Sequence, residues 1–141
     1  MDMKVYNTLP KEALEIRMDV FVNEQGFHDE VDEIDAYATH LVVFDKGIPI
    51  ATCRFFPHKS NEEFIIGRFA VIKAYRGQNI GAHLLSTAEA EIKKLGGKKA
   101  FLHAQSRAEK FYEKQGYHSF GEIELVENYP HIWMYKEIEL T

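Results

Sequence analysis

One cysteine in 141 residues, Cys53, leaves no internal disulfide to form, which excludes the small secreted scaffolds built on such bonds. A cytoplasmic setting is the expectation. A basic surplus is also missing. Seventeen Lys and Arg stand against 22 Asp and Glu, a formal net charge of −5, whereas a general nucleic-acid binder carries excess positive charge. No nucleic-acid partner is expected, and a cationic one fits better. No run of about 18 consecutive apolar residues could cross a membrane, and the opening MDMKVYNTLP has no apolar stretch of the signal-peptide kind. No membrane partner is expected either. The chain contains no repeat, low-complexity tract or Pro/Gly/Ser-rich linker, so residues 1–141 read as a single domain. Metal chemistry finds no support: the seven histidines and one cysteine show no zinc spacing. The acids from Asp29 to Asp35 lack the central glycine of a calcium loop.

What is present is an ordinary globular composition, 45% hydrophobic and 28% charged. A chain of this length buries roughly two-thirds of its unfolded surface and needs no cross-link. Residues 8–22 are predicted to form a helix, with Thr8 as cap, Pro10 in the first turn, and Leu14, Met18, Phe21 and Val22 at helical spacing. The acid-rich residues 23–40 read as a loop holding one helical turn. LVVFD (41–45) and IPIATCRFF (48–56) are strands around a Lys46-Gly47 turn. HKSNEE is a further turn and EFIIGRFAV (63–71) a third strand, in which Gly67 suggests a bulge or close backbone approach. A helix after Gly81 carries Leu84, Leu85, Ala88, Ile92 and Leu95 on one face and stops at Gly96-Gly97. KAFLHA (99–104) is a strand, and Ser106-Arg107-Ala108-Glu109 has the capping-box pattern for a short helix ending near Gly116. YHSFG and HIWMYKEIEL are two last strands joined by an acidic loop, EIELVENYP. The order predicts a mixed α/β fold.

Two segments carry chemistry. In GRFAVIKAYRGQNIGAHLL (67–85) a strand runs into a turn with Arg76, Gly77 and Gly81, where an amphipathic helix begins. Small residues admit a ligand close to the backbone, and the unpaired N–H groups of a helix start, with the helix dipole, favour phosphate. The same pattern also fits a tight strand-to-helix turn that needs glycine for geometry alone. It is neither a Walker loop nor a dinucleotide fingerprint.

The segment resembles the acetyl-CoA-binding motif of the GNAT N-acetyltransferase superfamily, Arg/Gln-x-x-Gly-x-Gly/Ala after a Leu-Ala-Val type of strand. Phe69-Ala70-Val71, Arg76, Ile80, Gly81 and Leu84-Leu85 match. Asn79 stands where the family usually has its first glycine; Asn tolerates left-handed backbone better than most residues. The second segment, LHAQSRAEKFYEKQGY (102–117), resembles the family's Asn-x-x-Ala-x-x-Phe-Tyr-x-x-x-Gly-Phe. Gln105 replaces the Asn, Ala108, Phe111, Tyr112 and Gly116 match, and Tyr117 replaces the Phe. Together the matches cover roughly residues 67–121. VFVNEQGFHDEVDEIDAYATHLVV further resembles the small bacterial ElaA/YjcF-like branch.

The resemblance implies the GNAT acyl-CoA N-acyltransferase fold, a mostly antiparallel sheet splayed at the acetyl-CoA site and flanked by helices. It implies acetyl-CoA as co-substrate, held by Phe69, Ala70 and Val71, by Arg76, Gly77, Gln78, Asn79, Ile80, Gly81 and Ala82 around the pyrophosphate, and by Gln105 and Phe111. The Val71 N–H would meet the thioester oxygen, a contact worth roughly 3 kcal/mol of barrier. Tyr112 is the expected general acid, since a phenol of pKa ~10 can protonate a thiolate whose conjugate acid is near ~8.5. Beside Phe111 and four residues after Ala108, Tyr112 fits a core position equally. An alkyl amine is neutral in only about one molecule in 2,500 at pH 7, so its proton needs an acceptor. Candidates are Glu24, Glu30, Glu33, Asp35, His40, His103 or a water chain, with Glu24 preferred because a helix-end carboxylate could face the acceptor. The acidic loop could instead be simply solvated, and His103 structural. Cys53 reads as packing, and Trp133 and Tyr135 as core or cleft wall. The expected activity is acetyl transfer to a primary amine, small-molecule or peptide and cationic, by direct attack in a ternary complex. An acyl-CoA-binding regulatory module and a protein or peptide N-acetyltransferase remain the alternatives. Many proteins of this fold are dimers, so a homodimer is compatible with the reading.

Overall fold

The β-branched and aromatic runs become strands and the 3.6-residue stripes become helices, with an additional strand ahead of the first helix. The computed structural model describes residues 1–28 and 31–138. Its strands are β1 (Asp2–Tyr6), β2 (Thr39–Asp45), β3 (Ile48–His58), β4 (Ser60–Val71), β5 (Lys99–Gln105), β6 (His118–Val126) and β7 (Tyr129–Glu137). The helices are α1 (Lys11–Arg17), continued by a π-helical stretch over Met18–Glu24, then α2 (Ile80–Lys94) and α3 (Glu109–Lys114). Hydrogen-bonded neighbours run β1-β2-β3-β4-β5-β7-β6. β4 and β5 pair in parallel at Glu63–Ile65 and Lys99–Phe101, while β1–β2, β2–β3, β5–β7 and β6–β7 are antiparallel. This is the mixed α/β architecture that the element order implied.

Two compact units divide the chain. The first joins Met1–Phe56 to Ile66–Ala90. Its core gathers Ala13, Ile16 and Val20 with Val42, Phe44 and Ala70, edged by Tyr6, Leu9, Phe21 and Ile72. The second joins Pro57–Ile65 to Glu91–Thr141. There β5 alternates: Ala100, Leu102 and Ala104 are buried, while Lys99, Phe101, His103 and Gln105 are half-buried on the opposite face. Gly97 lets β5 begin directly behind α2, because a Cβ there would collide with the side chains of Ile92 and Phe64.

Several boundaries differ from the sequence reading. The first helix starts at Lys11, and Pro10 is its N-cap in place of Thr8. Pro10 has no N–H to lose, and its carbonyl accepts from Ala13 and Leu14. β1 was not anticipated; it is only five residues long, no residue in it is fully buried, and it pairs along β2. The turn expected across HKSNEE shrinks to Lys59, at φ +66°. Ser106 caps nothing: Ser106–Ala108 is a 3-10 turn and α3 begins at Glu109. The acidic loop EIELVENYP is instead most of a hairpin, turning at Glu127 and Asn128 with φ +46° and +73°, the left-handed pair that suits a two-residue connection. Glu122-Ile123-Glu124-Leu125 alternates as a strand does, but every β6 residue is exposed, so burial left no pattern to read.

Candidate functional site

In the first unit, β4 leads into the loop before α2. Gly67 flagged the right neighbourhood, yet the left-handed residue is Arg68, at φ +49°; a Cβ on Gly67 would meet only Arg54 Nε, at 3.9 Å. Ala70 is buried in the core, whereas Phe69 and Val71 are half-buried. After a 3-10 turn over Lys73–Tyr75, Gly77 adopts φ +81° and Asn79 φ +63°. Asn79 therefore takes the backbone conformation that glycine would supply, and its carbonyl accepts from His83 N–H in the first turn of α2. Gly77, Gln78 and Asn79 are exposed, Gly81 and Ala82 half-buried, and Ile80 anchors the helix start at 6% exposure.

Arg76 and Glu24, far apart in sequence, meet here. Arg76 Nη1 and Nη2 donate to the two Glu24 carboxylate oxygens at 2.7 Å each, and Nε donates to the Val71 carbonyl at 2.9 Å. This fork-on-fork geometry is the strong form of an ion pair, and it raises the guanidinium pKa further. Glu24 sits at the end of the π-helical stretch, an irregularity common at functional sites.

The acidic loop is not simply solvated. Asp35, 4% exposed, accepts from Arg17 Nη1 and Nη2 at 2.9 Å and from Arg54 Nη1 at 2.8 Å. Asp32 accepts from Arg54 Nη2 at 2.9 Å and Arg68 Nη2 at 3.3 Å. Asp32 and Asp35 also cap each other's backbone. Burial alone would raise the Asp35 pKa, but bonds from Arg17, the Asp32 amide and Arg54 outweigh it and hold the carboxyl well below the usual range. Asp32 is lowered likewise, chiefly by Arg54. Two of the loop's acids are thus already neutralised by three arginines. Only Arg17 stood in the sequence near them, so nothing in the pattern announced the network.

Among the other base candidates, buried His40 donates Nε2–H to the Asp35 carbonyl at 3.1 Å, and burial pushes its pKa down. Glu33 is exposed on the 3-10 turn Glu33–Ala36, and Glu30 lies outside the described residues. Cys53 is buried, which drives its thiol pKa up and leaves it inert.

In the second unit, Tyr112 on α3 is 8% exposed, with ring-edge contacts to Phe111 at 5.0 Å and Tyr117 at 6.1 Å. Gln105, at the end of β5, accepts from Arg107 Nε at 2.9 Å. His103 stacks on Trp133 at 4.5 Å, lies 5.1 Å from the His131 ring and 3.4 Å from a Glu124 oxygen. Burial, helped by His131, lowers its pKa. β5, β6 and β7, with the β3–β4 turn and the start of β4, form a cleft of about 220 Å³ lined by Ile65, Phe101, Phe120 and Trp133 together with His58, Lys59 and Glu63. Sequence reasoning gave Trp133 as core or cleft wall; the period-two spacing of Phe101 and His103 was the available signal for the rest. Among the described residues, no three of His, Cys, Asp and Glu cluster as a metal would require. No helix there is long and apolar enough to cross a membrane.

Residues 6–138 match the family model for the acetyltransferase (GNAT) domain. The uncharacterized N-acetyltransferase YjcF of Bacillus subtilis (strain 168) is 30% identical over 130 residues, 90% of this chain and 91% of that protein. The crystal structure of Escherichia coli ElaA superposes with a TM-score of 0.87 at 25% identity, covering 96% of this chain and 99% of ElaA. That of an acyl-CoA N-acyltransferase from Pseudomonas aeruginosa gives 0.84 at 27% identity, covering 96% of this chain and 98% of that one. The fold is the GNAT acyl-CoA N-acyltransferase fold, and the resemblance to the ElaA and YjcF proteins holds.

Proposed function

Since the chain belongs to the GNAT acetyltransferase family, we propose that it moves the acetyl group of acetyl-CoA to a primary amine by direct attack in a ternary complex. The observation that carries this reading is Asn79: it holds φ +63° where glycine is usual in the family, so the turn into α2 keeps its geometry despite the substitution. The amides of Arg76 to Ala82 hold the pyrophosphate, aided by the dipole of a 15-residue helix, and Phe69, Ala70, Val71, Gln105 and Phe111 contact the rest of acetyl-CoA. The amine nitrogen attacks the thioester carbonyl, the C–N bond forms and the C–S bond breaks. The departing sulfur takes its proton from Tyr112, giving free CoA and the acetamide. The surplus proton on the amine leaves through Glu24. Pyrophosphate competes for Arg76, and a guanidinium that turns to phosphate releases the Glu24 carboxylate as proton acceptor. The acceptor is a small-molecule or peptide amine, met in the cytoplasm by a single acetyltransferase domain.

Gly81→Glu tests the cradle. Bulk and negative charge at the pyrophosphate position should abolish calorimetric binding of acetyl-CoA in a variant that keeps its melting temperature. Unchanged affinity in that folded variant would move the site elsewhere.

A further inference from the structure

The cleft of the second unit is built for a ring. Phe101 is its floor, held edge-on by His58 at 6.3 Å and Phe120 at 6.0 Å and tilted against Tyr135 at 6.4 Å, so the walls are preset by their own packing. An engineered apolar cavity of roughly 150 Å³ holds benzene; this cleft, about 220 Å³, has space for a ring and its attachment. Phe120 packs on the Phe101 and Tyr135 rings yet stays 42% exposed, leaving part of an aromatic surface open to solvent. Two opposite charges, Lys59 and Glu63, line the cleft beside the aromatic walls. Neither has an ion-pair partner among the described residues. Lys99, which sits opposite Glu63 in the β4–β5 register, turns away over the Phe101 and Tyr135 rings at 5.6 and 4.9 Å and toward Glu137. An apolar slot flanked by one unpaired anion and one unpaired cation complements a molecule with an aromatic body and both an ammonium and a carboxylate.

We propose that this cleft binds a zwitterionic aromatic amine of the α-amino-acid class, its ring against Phe101, Phe120 and Trp133, its ammonium toward Glu63 and its carboxylate toward Lys59. This goes beyond the reading above: the cleft lies wholly within the second unit and is argued as a ligand site in its own right.

Trp133 is the only tryptophan in the chain, so its fluorescence reports on the cleft without any turnover. The probes are L-phenylalanine, phenethylamine, hydrocinnamate and L-lysine, titrated into the full chain without acetyl-CoA. L-Phenylalanine should give a saturable change. Phenethylamine and hydrocinnamate should bind roughly fivefold more weakly, the scale of one exposed ion pair, and L-lysine should give none. Glu63→Gln should erase the advantage of L-phenylalanine over hydrocinnamate and keep its advantage over phenethylamine; Lys59→Gln should do the reverse. Both positions are solvent-facing enough for the variants to keep the wild-type melting temperature. The proposal is overturned by no saturable change with L-phenylalanine, by equal affinity for phenethylamine, or by an equal response to L-lysine. Failure of the transferase reading is separate: it would appear as no thiol release with any amine, whatever the fluorescence shows.

Discussion

At the scale of single residues, the sharpest feature is the buried charge cluster of Arg17, Asp35, Arg54 and Asp32. Arg17 and Arg54 are 1% and 4% exposed, and charges so far from water are tolerable because Asp35 pairs with both and Asp32 also pairs with Arg54. Asp35→Ala should therefore destabilise the fold by roughly 3–5 kcal/mol, the cost of stranding a buried partner, read as a lower urea midpoint with an unchanged slope. A change under about 0.5 kcal/mol would show that water reaches both arginines. The cluster also sets a pH dependence. His40, facing Asp35, Arg17 and Arg54, and His103, facing His131 and Glu124, both have folded pKa values below the unfolded value near ~6.5. The unfolded chain then binds more protons in that window, so stability rises with pH toward 7 and falls as pH drops through about 6. Asp32 and Asp35 are depressed, so their contribution is present above pH ~4 and is lost in stronger acid. Melting temperatures measured from pH 4 to 8 should climb and then level, with a smaller climb in His40→Gln. An equal climb in that variant would remove His40 from the account.

At the scale of elements, the turn into α2 makes the strongest claim. Asn79 occupies left-handed backbone, which costs a residue with an ordinary Cβ about 1–2 kcal/mol and Asn less. Asn79→Gly should keep acetyl-CoA affinity and stability near wild type, whereas Asn79→Ala should lose roughly 1 kcal/mol in urea unfolding. Equal stability of the two variants would mean that the turn relaxes out of the left-handed region. This element was legible because its glycines, helical stripe and stop signal are local. β6 was not, since its residues are all exposed and its glutamates imitate a loop. Nor was the π-helical stretch after α1, because its stripe of Met18, Phe21 and Val22 is the same one a regular helix would show.

At the scale of the whole molecule, the two motifs, each a strand before a helix, gave β4, α2, β5 and α3 in their order, whereas the parallel pairing of β4 with β5 was not read from them. What escaped were pairings over long separations. Arg76 with Glu24 and Arg54 with Asp32 carry no local signal in either partner, so the sequence reading found Glu24 and Arg76 as separate candidates without joining them. The aromatic cleft was half visible: Trp133 and Phe101 alternate along their strands, but only the β5–β7 and β6–β7 registers bring them beside Phe120.

The central claim, acetyl transfer to an amine with Tyr112 as the acid, is tested most directly by thiol release. The protein is mixed with acetyl-CoA and a panel of primary amines that includes aromatic amino acids, and Tyr112→Phe runs in parallel. The account predicts thiol release with at least one amine. It also predicts a turnover in Tyr112→Phe lower by roughly 10²-fold or more, with calorimetric affinity for acetyl-CoA unchanged. Full turnover in Tyr112→Phe would return that residue to the core, and no release with any amine despite tight acetyl-CoA binding would contradict the enzyme itself.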